Sequence, residues 1–585
     1  VSEYFVRVPD VSGIYCDDGS VSATTVDGTD GYGIEAVGDG LAANCIITNA
    51  SGGYEAGGGS SHFNYCIAYP GGFYYPAGGT GNSQDDPLYC DLAGSEYTLR
   101  VDSYGNPDNN PSGCPIGVYP VACMFGTLAR NAEYAGDGTL AFPGDLTVPA
   151  GLELILGAGT TLDISRTDSL ATGNSASLVE LNVSGRLEVN GSDSEPVVFD
   201  SEGQSQAEGD WYGISVNSGG ANLWLSHALI AHAGYGVSVG AADTAITIRD
   251  CAFEANEWID IQVAGSDTSM AILIADNVIE VGGGTGIKFE KTYGTISDNE
   301  VGGDETGTRG IYVNLAGSVV ELEGNGVHGF SNGYGLDVAA GDPGVTGNTV
   351  YGSNTYGPYP HGGAPDIGVD STSAANTITG NTRGISTTCG AGTCPACSGF
   401  APHIRNCNIT GNYFGVVTEK RGAPVNLGEG GDRGANNLVD NTSYCVWNRS
   451  PCSYDEVWAI GNYWGECDEY DFPVVCWDGD VLVDGYKCTG PDAFHVGMVE
   501  VAGRPLRVLG VVPHPVTGSA RVRFETGGED ARIGVGIFDV TGRLVRTITE
   551  RHVHPGVHEM VWDGRTEAGA PAGAGLYFVR VTAND

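Results

Sequence analysis

The sequence predicts an all-β protein: a right-handed parallel β-helix solenoid followed by a small antiparallel β-sandwich. Three observations predict this fold. A short phrase built on Asp or Asn recurs every 22–30 residues between about 228 and 420. A short alternating strand accompanies each phrase, and no room is left for a helix between them. Near the C-terminus, alternating strands are separated by turn residues at the spacing of a β-sandwich.

Composition and charge exclude several classes of partner. The 585 residues include 72 Asp and Glu against 26 Lys and Arg, which gives a formal net charge of −46. Nucleic acids and anionic membrane surfaces are bound through basic faces, so neither is an expected partner. No apolar run reaches the roughly 18–20 residues that cross a bilayer, so no membrane span is expected. The chain is 41% hydrophobic, too apolar for a disordered protein.

Cysteine usage predicts the compartment. The 16 cysteines concentrate in residues 16–123 and 389–488. Such a content favours an oxidising environment, so a secreted or cell-surface location is expected. The chain begins at Val1 without Met or a signal peptide, as expected of a processed chain or of a fragment of a longer one.

The chain divides into three predicted domains. Residues 1–125 have the pattern of the C-terminal part of a first β-helix with its cap, because Asn44-Cys-Ile-Ile47 and Tyr65-Cys-Ile-Ala68 lie one coil apart. Residues 126–500 are the main β-helix. Residues 501–585 carry ten Arg and nine Asp or Glu, a net charge of +1, and form the β-sandwich.

One Asp or Asn marks each repeat of the main β-helix. At a recurrent turn this residue can take left-handed backbone angles and hydrogen-bond its counterpart one coil above. The equivalent positions are predicted to be Asp250, Asn277, Asn299, Asn325, Asn348, Asn376 and Asn406.

Two parts of the chain resemble known families. Val148-Pro-Ala-Gly-Leu-Glu-Leu-Ile155 and Gly209-Asp-Trp-Tyr-Gly-Ile214 resemble the opening coils of bacterial pectin-lyase-like β-helix proteins, and the resemblance covers about residues 145–490. Phe538-Asp-Val-Thr-Gly-Arg-Leu-Val545 and Val561-Trp-Asp-Gly564 resemble the FlgD-type Ig-like domain, which ends many secreted bacterial proteins. The second resemblance implies surface attachment, sorting or spacing rather than catalysis.

Outward side chains of the aligned strands form predicted ladders on one face. The first ladder consists of Ser238, Asp260, Lys288, Tyr312 and Asp337. The second consists of Gln262, Glu290, Asn314, Asp370 and Glu419.

Catalysis on this face would use the charged members of both ladders. A lyase of this fold needs a base and a cation that neutralises a uronate, and a hydrolase needs two or three carboxylates. The catalytic candidates are Asp260, Lys288, Glu290 and Asp337. The solvent face of any parallel sheet is polar, and no strand carries a catalytic signature, so a non-catalytic role is favoured.

Aromatic side chains supply the candidate ligand contacts, because exposed Tyr rings stack on sugar rings. The candidates are Tyr312, Tyr356, Tyr359 and His361, together with Tyr74 and Tyr75. All but Tyr312 lie on two predicted loops, residues 353–361 and 71–76. The alternative is that these loops cap hydrophobic edges of the coils.

Disulfides are predicted from the spacing of the cysteines. Cys45 and Cys66 lie one coil apart, and the roughly 4.8 Å between stacked coils suits a disulfide. Cys90 is expected to pair with Cys114 or Cys123. A last set forms either two disulfides, which an exported protein favours, or a zinc site. This set is Cys389, Cys394, Cys397 and Cys407.

No cofactor is required by the sequence. Calcium is one option, at the carboxylate-bearing turn Asp27-Gly-Thr-Asp-Gly31, where an ordinary solvated turn is the alternative.

These features predict a secreted or cell-surface protein that acts in adhesion, glycan binding or extracellular assembly. Its expected partner is a surface glycan or a component of the extracellular matrix. One alternative is a polysaccharide lyase or glycoside hydrolase that acts on acidic polysaccharide. Another is a structural subunit of an extracellular filament, which self-association through uncovered coil ends would build.

Overall fold

The structure is a computed structural model. It describes residues 5–7, 13–17, 19–29, 31–56, 62–70, 73–74, 79–91, 96–136, 138–217, 220–240, 245–264, 272–290, 293–303, 307–315, 320–362, 364–368, 375–388, 401–419, 425–429, 433–449, 457–464, 477–478, 481–482, 506–512, 519–526, 531–539, 543–553, 556–573 and 577–584.

The regular secondary structure of the described residues is almost entirely β-strand, which confirms the predicted fold class. A parallel β-solenoid of about 13 turns spans residues 14–379, and antiparallel strands follow near the C-terminus. Within the described ranges the one helix is a 3-10 turn, Pro107–Asn109. The chain divides into two compact units, Val1–Asp492 and Ala493–Asp585. Almost all of the first two predicted domains lies in the first unit.

Three long sheets form the sides of the main solenoid, and a typical coil adds one strand to each. Sheet A contains Tyr89–Asp91, Glu96–Arg100, Val121–Cys123, Thr139–Phe142, Thr161–Ile164, Val197–Ser201, Ala228–Ala231, Ala252–Glu254, Val278–Val281, Glu300–Gly303, Gly326–His328, Thr349–Tyr351, Thr377–Thr379 and Asn408–Thr410. Sheet B contains Gly126–Thr127, Leu146–Val148, Glu180–Val183, Gly213–Val216, Tyr235–Val239, Ile259–Ala264, Thr285–Glu290, Arg309–Asn314, Tyr334–Ala340 and Tyr356–Pro360. Sheet C contains Ala132–Tyr134, Glu153–Gly157, Arg186–Asn190, Asn222–Ser226, Ala245–Arg249, Ile272–Ala275, Gly294–Ser297, Val320–Glu323, Gly344–Thr346, Asp366–Ile367 and His403–Ile404.

Further strands continue two of these sides. Sheet B is extended by Arg383–Thr387, Phe414–Thr418, Tyr444–Asn448 and Trp477–Asp478. The connection is direct, because the Thr388 amide donates a 3.2 Å hydrogen bond to the Pro360 carbonyl. Val457–Trp458 pairs with Val481–Leu482 beyond sheet C.

Parallel pairing in register stacks like residues inside the solenoid. One interior column of sheet A passes through ten consecutive strands, and each member is at most 1% exposed. The column is Leu162, Phe199, Ile230, Phe253, Ile279, Val301, Val327, Val350, Ile378 and Ile409. The stacked coils therefore share one continuous core. Burial of each such side chain stabilises the folded state by roughly 1.5–3 kcal/mol.

The N-terminal coils, residues 5–74 and here called the first solenoid, have a hydrophobic cluster of their own. Most buried hydrophobic residues between Cys16 and Ala68 form this cluster, and most of those between Val101 and Trp464 form another. Ile46 and Ile67 pack instead against Leu99. The predicted domain boundary at residue 125 stays a prediction. The strands of the first solenoid form three parallel sheets. They are Phe5–Arg7, Thr25–Asp27, Ile46–Thr48 and Ile67–Tyr69; Ile14–Asp17, Ile34–Val37, Tyr54–Ala56 and Phe73–Tyr74; and Ser20–Ser22, Leu41–Ala43 and His62–Asn64.

Asp27 ties the first solenoid to the strand Glu96–Arg100. Its carboxylate accepts hydrogen bonds from Thr48 Oγ1 at 3.0 Å, Asn49 Nδ2 at 2.7 Å and the Tyr97 hydroxyl at 2.7 Å. Protein donors therefore surround the first carboxylate of the turn considered for calcium. Asp30, its second carboxylate, lies outside the described residues.

An asparagine ladder stabilises the turn between sheets C and A. Where the following rung is Asn, its Oδ1 accepts from the backbone amide of the preceding rung, as in the 3.1 Å bond from Asn299 to Asn325. Where the following rung is Cys407, its sulfur accepts from Asn376 Nδ2 at 3.7 Å. The rungs are Cys251, Asn277, Asn299, Asn325, Asn348, Asn376, Cys407, Asn436 and Asn462.

The predicted ladder is wrong at its two ends. Asp250 and Asn406 precede the rungs and take left-handed backbone angles, with φ of 54° and 51°. The left-handed residue and the hydrogen-bonding residue are thus neighbours rather than one residue. The following cysteines, Cys251 and Cys407, occupy the rungs.

The disulfide predictions have mixed outcomes. Cys90 and Cys123 are bonded, with 6.0 Å between their Cα atoms, which confirms one of the two predicted pairings of Cys90. The pairing of Cys45 with Cys66 is wrong, and Cys114 is also a free thiol, exposed to solvent. Cys45 and Cys66 point into the core, where their thiols contact the carbonyls of Ala43 at 3.2 Å and Asn64 at 3.4 Å.

Cys407 is not half of a disulfide. Its thiol is free and 1% exposed, and it donates to the Arg405 carbonyl at 3.1 Å. The other three cysteines predicted with it, Cys389, Cys394 and Cys397, lie outside the described residues. Cys445 is disulfide-bonded.

The C-terminal unit has two antiparallel sheets around one core. The first contains Leu506–Val512, Ala520–Thr526 and Gly556–Trp562, and the second contains Leu544–Val553, Ala531–Asp539 and Tyr577–Asn584. Both sheets contribute buried side chains to that core, among them Phe524 and Trp562 from the first and Ile537 from the second.

Candidate functional site

The outer surface of sheet B brings most of the predicted site residues together. Its central column of side chains is in register over seven strands. The column is Ser215, Ser238, Gln262, Lys288, Tyr312, Asp337 and Tyr359. The predicted neighbours Lys288, Tyr312 and Asp337 are therefore adjacent, one coil apart.

Asp260 is not on this surface. Asp260 lies opposite Gly236 of the preceding strand in the register of the sheet. Its side chain is buried, and the residue is 1% exposed. Asn256 Nδ2 donates a 2.8 Å hydrogen bond to Asp260 Oδ1. Burial raises the pKa of Asp260 well above its ordinary value. Gln262 takes the outward place that the prediction gave to Asp260.

The second predicted ladder is partly present. Glu290 and Asn314 pair as neighbours, but Ala264 stands where Gln262 was expected. Asp370 lies outside the described residues. Glu419 lies further along sheet B, next to Arg383 and Arg449.

A cleft of about 460 Å³ opens on sheet B around Lys288. Its charged and aromatic walls are Glu257, Trp258, Lys288, Glu290, Arg309 and Tyr312. Gly283 and Gly284 also line it, and a Cβ on Gly284 would lie 1.7 Å from the Trp258 carbonyl oxygen. Glycine therefore allows the two coils to approach where the cleft forms.

Ion pairs fix the charged groups of the cleft. Lys288 Nζ lies 2.9 Å from Glu290 Oε2. Arg309 Nε donates to Asp337 Oδ2 at 2.7 Å, and His361 Nε2 lies 2.9 Å from Asp337 Oδ1. The Asp337 side chain is only 2% exposed, so it acts as a buried anchor for the side chains of Arg309 and His361.

The Tyr312 phenol is a hydrogen-bond donor in this setting. Burial raises its pKa, and the nearby carboxylates of Glu290 and Asp337 raise it further. Arg309 opposes this effect, and its guanidinium carbon lies 5.1 Å from the Tyr312 ring centre. The phenol consequently keeps its proton at neutral pH.

An aromatic stack continues from the cleft. Tyr356 and Tyr359 belong to a strand, Tyr356–Pro360, and not to the predicted loop. The ring centres of Tyr334 and Tyr356 are 5.0 Å apart, those of Tyr334 and Tyr359 4.7 Å, and those of Tyr359 and His361 5.1 Å. The rings therefore form one continuous stack on sheet B. Burial is the largest cause that raises the pKa of Tyr359 above its ordinary value. The nearby Tyr334 and Tyr356 raise it further.

The other predicted aromatic residues are Tyr74 and Tyr75. Tyr74 is described only by its backbone, in the strand Phe73–Tyr74 of the first solenoid. Tyr75 lies outside the described residues.

Sequence reasoning missed Glu257, Trp258 and Arg309. Arg309 is the first residue of the strand Arg309–Asn314, where Thr285 and Tyr334 are its partners in register. Its position directly before the Gly310-Ile311 pair could have signalled it. Trp258 directly precedes its strand and is 38% exposed, with its ring centre 5.0 Å from that of Tyr235. A large aromatic residue next to a strand start is the signal that could have found it.

Comparisons with known proteins identify the C-terminal unit. Residues 514–585 match the FlgD Ig-like domain family. No curated protein matches the chain. The crystal structure of dimeric latent PorU from Porphyromonas gingivalis is similar at 24% identity over 17% of this chain, with a TM-score of 0.14. The matched part is 9% of that PorU chain, so the likeness carries no functional argument.

A β-solenoid joined to a FlgD-type Ig-like domain suggests a surface or extracellular protein. Among the described residues, no helix has the length and apolar character needed to cross a membrane. The resemblance of the solenoid to pectin-lyase-like proteins stays a prediction.

Proposed function

We propose that this protein acts at the cell surface or outside the cell and binds an acidic glycan in the cleft of sheet B. One observation carries the proposal: Lys288 and Arg309 line the same cleft as the exposed indole of Trp258. A chain with 26 basic residues against 72 acidic ones places two of its cations there.

The chemistry of the cleft suits a uronate-containing sugar. Such a sugar offers an apolar ring face and a carboxylate. The Trp258 indole, 38% exposed, provides a surface for the ring. The Arg309 side chain is 41% exposed and held at Nε by Asp337, so its remaining donors suit a carboxylate.

The same geometry favours binding over elimination chemistry. A lyase needs an unprotonated base near the sugar. Lys288 is held in an ion pair with Glu290, and the raised pKa of Tyr312 keeps that phenol protonated. Both side chains are therefore placed to bind a ligand rather than to take a proton from it.

Calorimetric titration with oligogalacturonate tests the proposal. Lys288→Gln and Trp258→Ala should each weaken binding about tenfold, the effect of losing about 1.4 kcal/mol. Trp224→Ala is the matched control, because Trp224 is 39% exposed but lies on sheet C. Equal affinity in wild type and both cleft variants would count against the proposal.

Hydrolysis is the second candidate, because Glu257 and Glu290 both line the cleft. Incubation with uronate polymers, with and without calcium, checks it together with lyase activity. New reducing ends that form without unsaturated product, and that are lost in Glu290→Gln, would establish a hydrolase. Unsaturated product lost in Lys288→Ala would establish a lyase and overturn a role limited to binding.

A further inference from the structure

A second cationic centre lies on the same side of the solenoid, beyond the aromatic stack. Glu419 lies between two arginines, with Arg383 Nε 3.0 Å from its Oε1 and Arg449 Nη1 2.6 Å from its Oε2. The three side chains come from three successive strands. One carboxylate and two guanidinium groups give the centre a net charge of +1.

Aromatic rings support both arginines of this centre. The Arg383 guanidinium carbon lies 4.7 Å from the centre of the Tyr356 ring, and that of Arg449 lies 4.4 Å from the centre of the Trp447 ring. A guanidinium that stacks on a ring and pairs with a carboxylate has a fixed orientation. Its remaining N–H groups can then bind an anion with little loss of side-chain entropy.

The arrangement repeats that of the cleft. There, Asp337 holds Arg309 and His361, and Arg309 lies 5.1 Å from the centre of the Tyr312 ring. In both centres, a largely buried carboxylate contacts basic side chains from the coils on either side. The Asp337 and Glu419 side chains are 2% and 16% exposed.

The carboxylates of the two centres are three coils apart. The coils run from Tyr334–Ala340, which carries Asp337, through Tyr356–Pro360 and Arg383–Thr387 to Phe414–Thr418, which Glu419 follows. With about 4.8 Å between stacked strands, the separation is about 14 Å. A disaccharide is too short to occupy both centres, whereas a polymer lying along the solenoid can.

We propose that Arg383, Glu419 and Arg449 form a second binding site for the acidic glycan, so that the protein holds a polymer at two points. This inference rests on the proposed function of the cleft. Binding at the first centre raises the effective concentration of the polymer at the second, which strengthens polymer binding beyond the affinity of either centre.

Titrations with digalacturonate and with polygalacturonate test this inference in the full chain. Wild type should bind two molecules of digalacturonate. Arg383→Gln combined with Arg449→Gln should reduce this number to one, leave the affinity of the cleft unchanged, and weaken polygalacturonate binding about tenfold or more. Lys288→Gln should weaken the binding of both ligands.

The controls separate charge from folding. Arg186→Gln is the matched variant, because Arg186 on sheet C also pairs with two carboxylates, Glu153 and Glu188. It should leave polygalacturonate binding unchanged. Fully methyl-esterified polygalacturonate has the same backbone without the charge and should bind wild type and the double variant alike.

The failures of the two proposals are distinguishable. Unchanged polygalacturonate affinity in the double variant, or one digalacturonate site in wild type, overturns the second site and leaves the cleft in place. Equal loss of both ligands in the double variant also overturns it, because this indicates a distorted cleft. Wild-type affinities in Lys288→Gln overturn the proposed function itself.

Discussion

Arg309 Nε donates a 2.7 Å hydrogen bond to Asp337 Oδ2 across adjacent coils, although the two residues are 28 positions apart in sequence. The carboxylate that holds the arginine is buried, and its other oxygen is paired with His361. The orientation of Arg309 in the cleft therefore depends on a residue that does not line the cleft itself.

We expect Asp337→Asn to lower the free energy of unfolding by about 2 kcal/mol, because Asn removes the buried charge and keeps an acceptor oxygen for only one of the two partners, Arg309 and His361. Urea denaturation checks this. Asp366→Asn is the control: Asp366 pairs with His403, but their side chains are 69% and 54% exposed. A change of less than about 0.5 kcal/mol is expected for it. Equal effects of the two substitutions would contradict the anchoring role of Asp337.

The asparagine ladder should be costly to interrupt. Asn325 is fully buried, accepts from Asn299, and donates to the Ile296 carbonyl at 2.8 Å. Asn325→Ala leaves several buried groups unsatisfied, so we expect a loss of about 3 kcal/mol in urea denaturation. Asn190→Ala, at an exposed position of sheet C, should change stability little. A small effect at Asn325 would show that the ladder is not a main source of stability.

Asp298 should make stability depend on pH. Partial burial, with the carboxylates of Asp276 and Glu323, raises its pKa to about 6. A carboxyl group with a raised pKa contributes stability at low pH, and this contribution is lost as pH rises through the pKa of the folded state. Asp298→Asn should therefore be more stable than wild type at pH 7.5, and the difference should disappear below about pH 4.

Chemical denaturation at several pH values between 4 and 8 measures this difference. Asparagine also tolerates the left-handed backbone that Asp298 adopts, with φ of 55°, so the substitution tests charge alone. A constant difference at all pH values would contradict the assignment.

Thiol reactivity should follow burial. Burial raises the pKa of both Cys251 and Cys407 to about 12, whereas Cys114 is exposed. Because the thiolate is the reactive form, a maleimide should label Cys114 in the native protein, and Cys251 and Cys407 only after denaturation. Peptide mass spectrometry locates the labels. Native labelling of Cys407 would indicate that its rung of the ladder opens.

The sequence was sufficient for the fold class because the coil pattern is repeated many times. It also aligned Lys288, Tyr312 and Asp337 correctly, since each follows a Gly-Ile or Gly-Leu pair whose glycine marks the same bend. The coil of Asp260 lacks that glycine. Asp260 occupies the position of that glycine and points inward. Aligning Asp260 with Lys288 therefore shifted the predicted register of this coil by two residues.

The cleft was harder to predict because it depends on contacts between coils. Gly283 and Gly284 precede a strand and have no side chain that could signal a cavity. The ladder ends were misassigned for a related reason. Cys251 and Cys407 each follow a polar residue, and the polar residue was taken as the rung, although the cysteine amide makes the hydrogen bond.

The asparagine ladder gives the array a direction. Every rung from Asn277 to Asn348 offers its backbone amide to the side-chain oxygen of the rung that follows it in sequence. During synthesis, the backbone amide of the last Asn in the stack therefore has no side-chain acceptor until the next coil has packed. Closure of the stack is vectorial, and a nascent chain that stalls within the repeats exposes one incomplete rung at its growing end.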